Sequence, residues 1–235
     1  MKKSIFVMFV MLVVIFSVSS VEAEDYDINQ LKQPHSKIFY FYQKSVDLNI
    51  EQQLQRARTL IIDDQDVDLG AAVLDEILKH EKNAEGYLLR GIAYTKLKKF
   101  DVADKDYEQA LLIEPTNPTF YYFRALNYFY RGYNNQAIST LEKALKYEEY
   151  YIDAIVSIGD VYNSKGEYAA KQNRINDAIS NFEKAIQQYN KVLVLFPDNA
   201  IVLAKKEDTQ NNIKLVNDKK DEQKRKQEID KMVNG

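Results

Sequence analysis

A recurrence at 34 residues is the feature that most constrains how this chain can fold. Arg56, Arg90 and Arg124 follow one another at that interval, and each directly precedes Ala or Gly. The same interval of 34 joins three further pairs, namely Tyr94 with Tyr128, Ala103 with Ala137, and Ala110 with Ala144. A fixed period across several residue types predicts a chain that stacks one supersecondary unit, each copy packing on its neighbours.

The composition indicates that this unit is helical and folded. Only seven Gly and four Pro occur in 235 residues, which leaves few turn signals for a protein with many β-strands. The chain is 46% hydrophobic and 29% charged, values typical of a globular protein. We therefore expect an all-α protein.

Residues 84–117 carry the most complete copy of the unit. Its spaced positions are an aromatic, a small residue, an aromatic, Ala, an aromatic, Ala and a closing Pro, namely Tyr87, Gly91, Tyr94, Ala103, Tyr107, Ala110 and Pro115. This order resembles the signature of the tetratricopeptide repeat family. The resemblance implies an α-solenoid, a right-handed superhelix of antiparallel helical hairpins. In such a hairpin Gly91 allows two helices to approach closely, and Pro115 ends the second helix.

Two further copies depart from this pattern. Residues 118–151 form a second repeat without the closing Pro, with Tyr121, Ala125, Tyr128, Ala137, Leu141 and Ala144 at the repeat positions. Residues 152–198 form a third, with Gly159, Tyr162, Ala178, Phe182, Ala185 and Pro197 at those positions. In the third copy Tyr162 and Ala178 are 16 residues apart, whereas Tyr94 and Ala103 are 9 apart. Its second arm is longer by the same seven residues, so we predict an elongated hairpin that projects roughly 10 Å beyond its neighbours.

The flanking segments differ from the repeats. Residues 49–82 are interpreted as a degenerate hairpin of the same type, and residues 199–235 as a C-terminal capping helix with a charged tail. Residues 1–23 combine Lys2 and Lys3, an apolar run over 5–16 and a small-residue site ending at Ala23, the pattern of a signal peptide. Residues 24–48 then form an N-terminal lead-in segment. We expect an exported protein, periplasmic or secreted, with no stable membrane span after cleavage; retention of the segment as an anchor is the alternative.

Several functions are disfavoured. A net charge of −3 is unsuited to nucleic acid, and the absence of Cys excludes thiol chemistry. We find no catalytic constellation, cofactor motif or metal-ligand set, and expect a protein that is not an enzyme. Asp64, Asp66 and Asp68 alternate as in a calcium loop, but Leu69 stands where that loop needs Gly, so a helix cap is favoured.

The resemblance implies a protein or peptide partner, bound in a groove lined by the first helix of each hairpin. The carboxylate-binding clamp known in this family is absent, because Leu88, Ile92 and Phe123 occupy its Lys and Asn positions. The candidate groove is apolar and rich in tyrosine, formed by Leu88, Ile92, Tyr122, Leu126, Phe129 and Tyr130. Such aromatics mark a contact surface or pack within the chain, for example on residues 38–42. We interpret Arg90 and Arg124 as structural, reaching a carbonyl or a carboxylate of the next hairpin. Self-association through the long hairpin and the C-terminal helix is the alternative function.

Overall fold

The computed structural model describes residues 49–234, which form nine helices joined by short turns. In chain order they are α1 Ile50–Ile62, α2 Val67–His80, α3 Ala84–Lys96, α4 Phe100–Ile113, α5 Pro118–Tyr130, α6 Asn134–Tyr147, α7 Ile152–Lys171, α8 Ile175–Leu195 and α9 Ala200–Asn234. Successive helices pack as hairpins, α1 on α2, α3 on α4, α5 on α6 and α7 on α8, and α9 packs on the last of them. The described part of the chain is an all-α helical-repeat solenoid, as the sequence predicts. The predicted signal peptide and lead-in segment, residues 1–48, lie outside the described residues.

Local chemistry accounts for where these helices begin. The carboxylate of Asp66 accepts a hydrogen bond from the backbone of Leu69 at 3.0 Å and so caps α2. The interpretation of the acidic turn as a cap is confirmed there. Asn83 caps α3 in the same way, through the backbone of Gly86 at 2.8 Å. Pro118 lies in the first turn of α5, where its missing N–H leaves no hydrogen bond unmade.

The small residues of the repeat lie where helices cross. A Cβ atom added to Gly91 on α3 would lie 2.7 Å from Cε1 of Tyr107 on α4, a distance that real side chains do not tolerate. The ring of Tyr107 therefore occupies the space that any other residue at 91 would need. Ala103 and Ala110 are fully buried on either side of that ring. This contact between Gly and an aromatic ring sets the separation of the two helices.

The third complete hairpin is longer than the others by the predicted amount. Helices α7 and α8 have 20 and 21 residues, against 13 and 14 for α5 and α6. The added length repeats the contact between Gly and an aromatic ring. A Cβ on Gly159 would lie 2.5 Å from Tyr189, and a Cβ on Gly166 would lie 2.6 Å from Phe182.

Gly159 and Phe182 lie in this one hairpin, as predicted, but each packs on a residue outside the predicted set of repeat positions. Because α7 and α8 are antiparallel, a Gly nearer the start of α7 packs on a ring nearer the end of α8. Gly159 therefore meets Tyr189 near the open end of the hairpin, and Gly166 meets Phe182 near its turn. The spacing could have shown this, since Gly166 and Phe182 are 16 residues apart, as are Gly91 and Tyr107.

A buried polar network joins α3, α4 and α5. Asn127 on α5 is fully buried. Its Oδ1 accepts a hydrogen bond from the hydroxyl of Thr95 at 3.0 Å, and its Nδ2 donates to the carbonyl oxygen of Phe100 at 3.0 Å. The hydroxyl of Tyr107 lies 3.0 Å from that of Thr95. The side-chain amide of Asn127 thus forms hydrogen bonds with both α3 and α4.

Replacing Asn127 by Leu is expected to lower the free energy of unfolding by about 1–3 kcal/mol, because Leu fills the space but removes the buried hydrogen bonds of Asn127 with Thr95 and with the Phe100 carbonyl. Chemical denaturation followed by circular dichroism measures the change. Asn211→Leu on the exposed face of α9 is the control, expected within about 0.5 kcal/mol of the parent. Equal losses in the two variants would show that the network contributes nothing specific.

Candidate functional site

The candidate face lies on α5, the helix richest in aromatics among those described. Tyr122, Leu126 and Phe129 follow one another at spacings of four and three, which places them in one stripe along the helix. All three side chains are half-buried. Tyr130 follows Phe129 directly and is 63% exposed, with its ring centroid 5.9 Å from that of Phe129. We call these four residues the α5 face.

Two of the six candidate groove residues do not belong to this surface. Leu88 and Ile92 on α3 are buried in a core cluster that also contains Leu54 of α1 and Phe120 of α5. Helix α3 is the first helix of its hairpin and contacts both α1 and α5. These two helices cover the face of α3 that was expected to line the groove. The expectation that Leu88 and Ile92 form an open groove floor is therefore corrected: they are core residues.

The residues of the α5 face differ in how closely other side chains pack against them. The ring of Tyr122 lies 5.3 Å from that of Tyr151 at the start of α7 and 5.2 Å from that of Phe123. Burial raises the pKa of Tyr122 above its ordinary value, although a hydrogen bond with Ser157 opposes the rise. Tyr122 and Phe129 thus help to hold α5 on its neighbours, whereas Tyr130 is open. Residues 38–42, the other predicted packing partner, lie outside the described residues.

The recurring arginines hold hairpins together. Arg90 donates through Nε and Nη2 to both oxygens of Asp106 on α4, at 2.9 and 2.6 Å, and through Nη1 to Asp75 on α2 at 2.8 Å. Burial acts to lower the pKa of Arg90, but these carboxylates outweigh it and the pKa is raised. Arg124 donates to Asp104 on α4 in the same way, at 2.7 Å. The structural role is as expected, but the carboxylates belong to the same or the preceding hairpin rather than the next.

The described residues contain neither a cluster of metal-ligating side chains nor a membrane-spanning helix. Within 49–234 no three His, Asp or Glu side chains are placed to hold a metal ion. None of α1–α9 is both long enough and apolar enough to span a bilayer.

Stacked hairpins with a half-open aromatic face define the class: a helical-repeat solenoid that presents a surface to other molecules. Two family models described as "Tetratricopeptide repeat" match this chain, one over residues 84–117 and the other over 118–151. Residues 84–151 therefore form two tetratricopeptide repeats, which confirms the resemblance drawn from their repeat positions.

Two curated proteins match part of this chain. The chain is 29% identical over 89 residues to tetratricopeptide repeat protein 13 of Homo sapiens, a match that covers 38% of this chain and 10% of that protein. It is 27% identical over 103 residues to tetratricopeptide repeat protein 37 of Xenopus laevis, covering 41% of this chain and 7% of that one. The chain thus spans a tenth or less of the length of these relatives.

Solved structures show the same fold at low sequence identity. A tetratricopeptide repeat protein from Parabacteroides merdae superposes with a TM-score of 0.57 at 16% identity, covering 76% of this chain and 65% of the other. MamA from Desulfovibrio magneticus superposes with a TM-score of 0.52 at 18% identity, covering 71% of this chain and 88% of the other.

Tetratricopeptide repeats are generally non-catalytic modules that bind other proteins. Residues 84–151 accordingly belong to a class of repeat that serves protein–protein interaction.

Proposed function

We propose that this protein is an adaptor outside the cytoplasm, and that its α5 face binds a peptide or helix of a cell-envelope partner. The observation that carries the proposal is the exposed ring of Tyr130 beside the half-buried stripe of Tyr122, Leu126 and Phe129. The pattern of a signal peptide in residues 1–23 supports the location. Binding at this face needs no cofactor and no catalytic group.

The chemistry of the α5 face suits a peptide. An exposed tyrosine flanked by apolar side chains offers both contact area and a hydrogen-bonding group, and tyrosine is enriched among the residues that dominate the binding energy of interfaces. Helical partners present apolar anchors at spacings of three and four residues, which match the stripe on α5.

Tyr130→Ala is expected to weaken peptide binding at least about tenfold, because it removes an anchor whose loss at an interface is typically worth more than 1.4 kcal/mol. Peptides would first be selected on the parent protein from a random display library. Their affinities would then be measured by titration calorimetry. Tyr150→Ala is the matched control, since Tyr150 is 62% exposed and lies outside the face. Selected peptides that bind both variants equally would refute this site.

A second candidate function is self-association, favoured by an apolar corner where α8 meets α9. Val194, Phe196 and Ile201 are all largely exposed there. Exposed apolar residues this close in sequence are typical of a contact between copies. Light scattering on the full chain distinguishes the two candidates: a monomer at micromolar concentration supports the adaptor, and a dimer that Ile201→Lys dissociates supports assembly.

A further inference from the structure

The extra length of the α7–α8 hairpin leaves a cavity beside the shorter hairpin before it. The cavity has a volume of about 560 Å³ and lies between the turn that precedes α6 and the two long helices. Its polar and charged lining includes Asn135 from α6, Lys165 and Tyr168 from α7, and Arg174, Asp177 and Lys184 from the α8 side. None of these residues belongs to the α5 face. Two neighbouring hairpins of equal length would end level and would not leave this cavity.

Positive charge in the cavity exceeds negative charge. Arg174 contacts Asp177 at 3.4 Å, which offsets one of the three cations. Lys165 donates to the neutral Oδ1 of Asn135 at 3.0 Å. Among the described residues, neither Lys165 nor Lys184 forms an ion pair with a carboxylate. The cavity therefore holds two ammonium groups without a counter-charge.

Both ammonium groups lie near the same aromatic ring. The Nζ atoms of Lys165 and Lys184 each lie 5.6 Å from the centroid of the Tyr162 ring, within the range of a cation–π contact. Burial and the charge of Lys184 lower the pKa of Lys165. The arrangement thus brings like charges together in a partly enclosed space, and an anion between them would relieve that repulsion.

The start of α6 adds hydrogen-bond donors at the same place. Tyr133 precedes α6 and makes no side-chain hydrogen bond to its first turn. Asn134, Asn135 and Gln136 of that turn line the cavity. The first backbone N–H groups of a helix lack partners within the helix and carry a partial positive charge, which favours an anion in addition to the lysines.

We propose that this cavity binds the carboxylates of an acidic peptide segment. The volume is within the range of sites that take a ligand or several side chains, and is larger than a single inorganic anion needs. Lys165 and Lys184 offer point-like ammonium groups that form no ion pair with a carboxylate of the described residues, whereas Arg174 contacts Asp177 through Nη1 at 3.4 Å. Two free positive charges match two neighbouring Asp or Glu side chains. This site is separate from the α5 face and does not depend on it.

The test measures binding of a fluorescein-labelled hexaglutamate peptide to the full chain by fluorescence anisotropy. We expect binding that weakens with salt, and a loss of at least about tenfold in the double variant Lys165→Gln, Lys184→Gln. Circular dichroism checks that this variant is folded. The control is Lys191→Gln, Lys214→Gln, which removes the same charge from exposed positions and is expected to bind as the parent does.

Each other outcome overturns the proposal. No binding of hexaglutamate by the parent refutes it, and so does an equal loss in both double variants, which would indicate general surface charge. Competition by inorganic phosphate at the same concentration as the peptide would indicate a site for an adventitious ion only. Tyr130→Ala is expected to leave hexaglutamate binding unchanged, so failure here and failure of the α5 face are distinguishable.

Discussion

Replacing Tyr189 by Ala is expected to lower the free energy of unfolding by about 3–5 kcal/mol, the loss typical when a large buried aromatic is truncated. Only 1% of Tyr189 is exposed, and its ring covers Gly159 on the opposite helix. Ala would leave a cavity where the Tyr189 ring packs between α7 and α8, and the two helices can close that cavity only in part. Chemical denaturation followed by circular dichroism measures the change.

Tyr189 also organises the junction with α9. Its hydroxyl donates to Oδ1 of Asp160 at 2.8 Å, and the same oxygen accepts a hydrogen bond from Nζ of Lys205 on α9 at 2.8 Å. One carboxylate thus links α7, α8 and α9. Since repeats in a solenoid are stabilised by their nearest neighbours, we expect α9 to lose protection from hydrogen exchange in the Tyr189→Ala variant.

Tyr168→Ala is the matched control for this experiment. It makes the same change on the same hairpin, but Tyr168 is 61% exposed. We expect its free energy of unfolding to stay within about 0.5 kcal/mol of the parent. Similar losses in the two variants would mean that the second contact between Gly and an aromatic ring does not stabilise the long hairpin.

The repeat residues allowed most of the fold to be predicted, because their chemistry is local. Gly91, Tyr107 and Pro115 each have one role that spacing alone identifies: close approach, filling and helix end. The lengthening of α7 and α8 was equally readable, since the intervals along the chain count helix residues directly. The family follows from the same positions.

The candidate site was less predictable, because it depends on how hairpins stack. Leu88 and Ile92 are buried because α1 and α5 pack over α3. These contacts join segments far apart in sequence, and no local pattern encodes them. Asn127 looks in sequence like any surface Asn, and only its contacts with two other helices show its role. The cavity at Lys165 depends on the offset between two hairpin ends.

Replacing Arg90 by Met is expected to lower the free energy of unfolding by about 3–5 kcal/mol, because it leaves a buried carboxylate without its partner. The side chain of Asp106 is only 5% exposed, and that of Arg90 20%. Met retains most of the aliphatic volume, so the loss reports on charge rather than on packing. Arg58→Met is the control: its partner is Glu85, both side chains are over 40% exposed, and such pairs contribute about 0–1 kcal/mol.

The pH dependence separates a buried charge from a simple packing defect. Burial already raises the pKa of Asp106, and the hydrogen bond from Arg90 opposes that rise. In Arg90→Met the opposing interaction is gone, so the folded-state pKa moves further above the unfolded value of about 3.9. A raised folded pKa means that protonation stabilises the fold. That stabilisation is complete below the unfolded pKa and is lost as the pH rises through the folded pKa.

The deficit of Arg90→Met relative to the parent should therefore shrink as the pH falls from neutral through the folded pKa of Asp106 towards about 4. Denaturation curves at successive pH values test this. A second variant, Arg90→Met with Asp106→Leu, removes both charges and is expected to recover most of the loss at neutral pH, because no buried charge then lacks a partner. A deficit that is constant with pH and persists in the double variant would instead locate the contribution of Arg90 in the packing of its aliphatic stem.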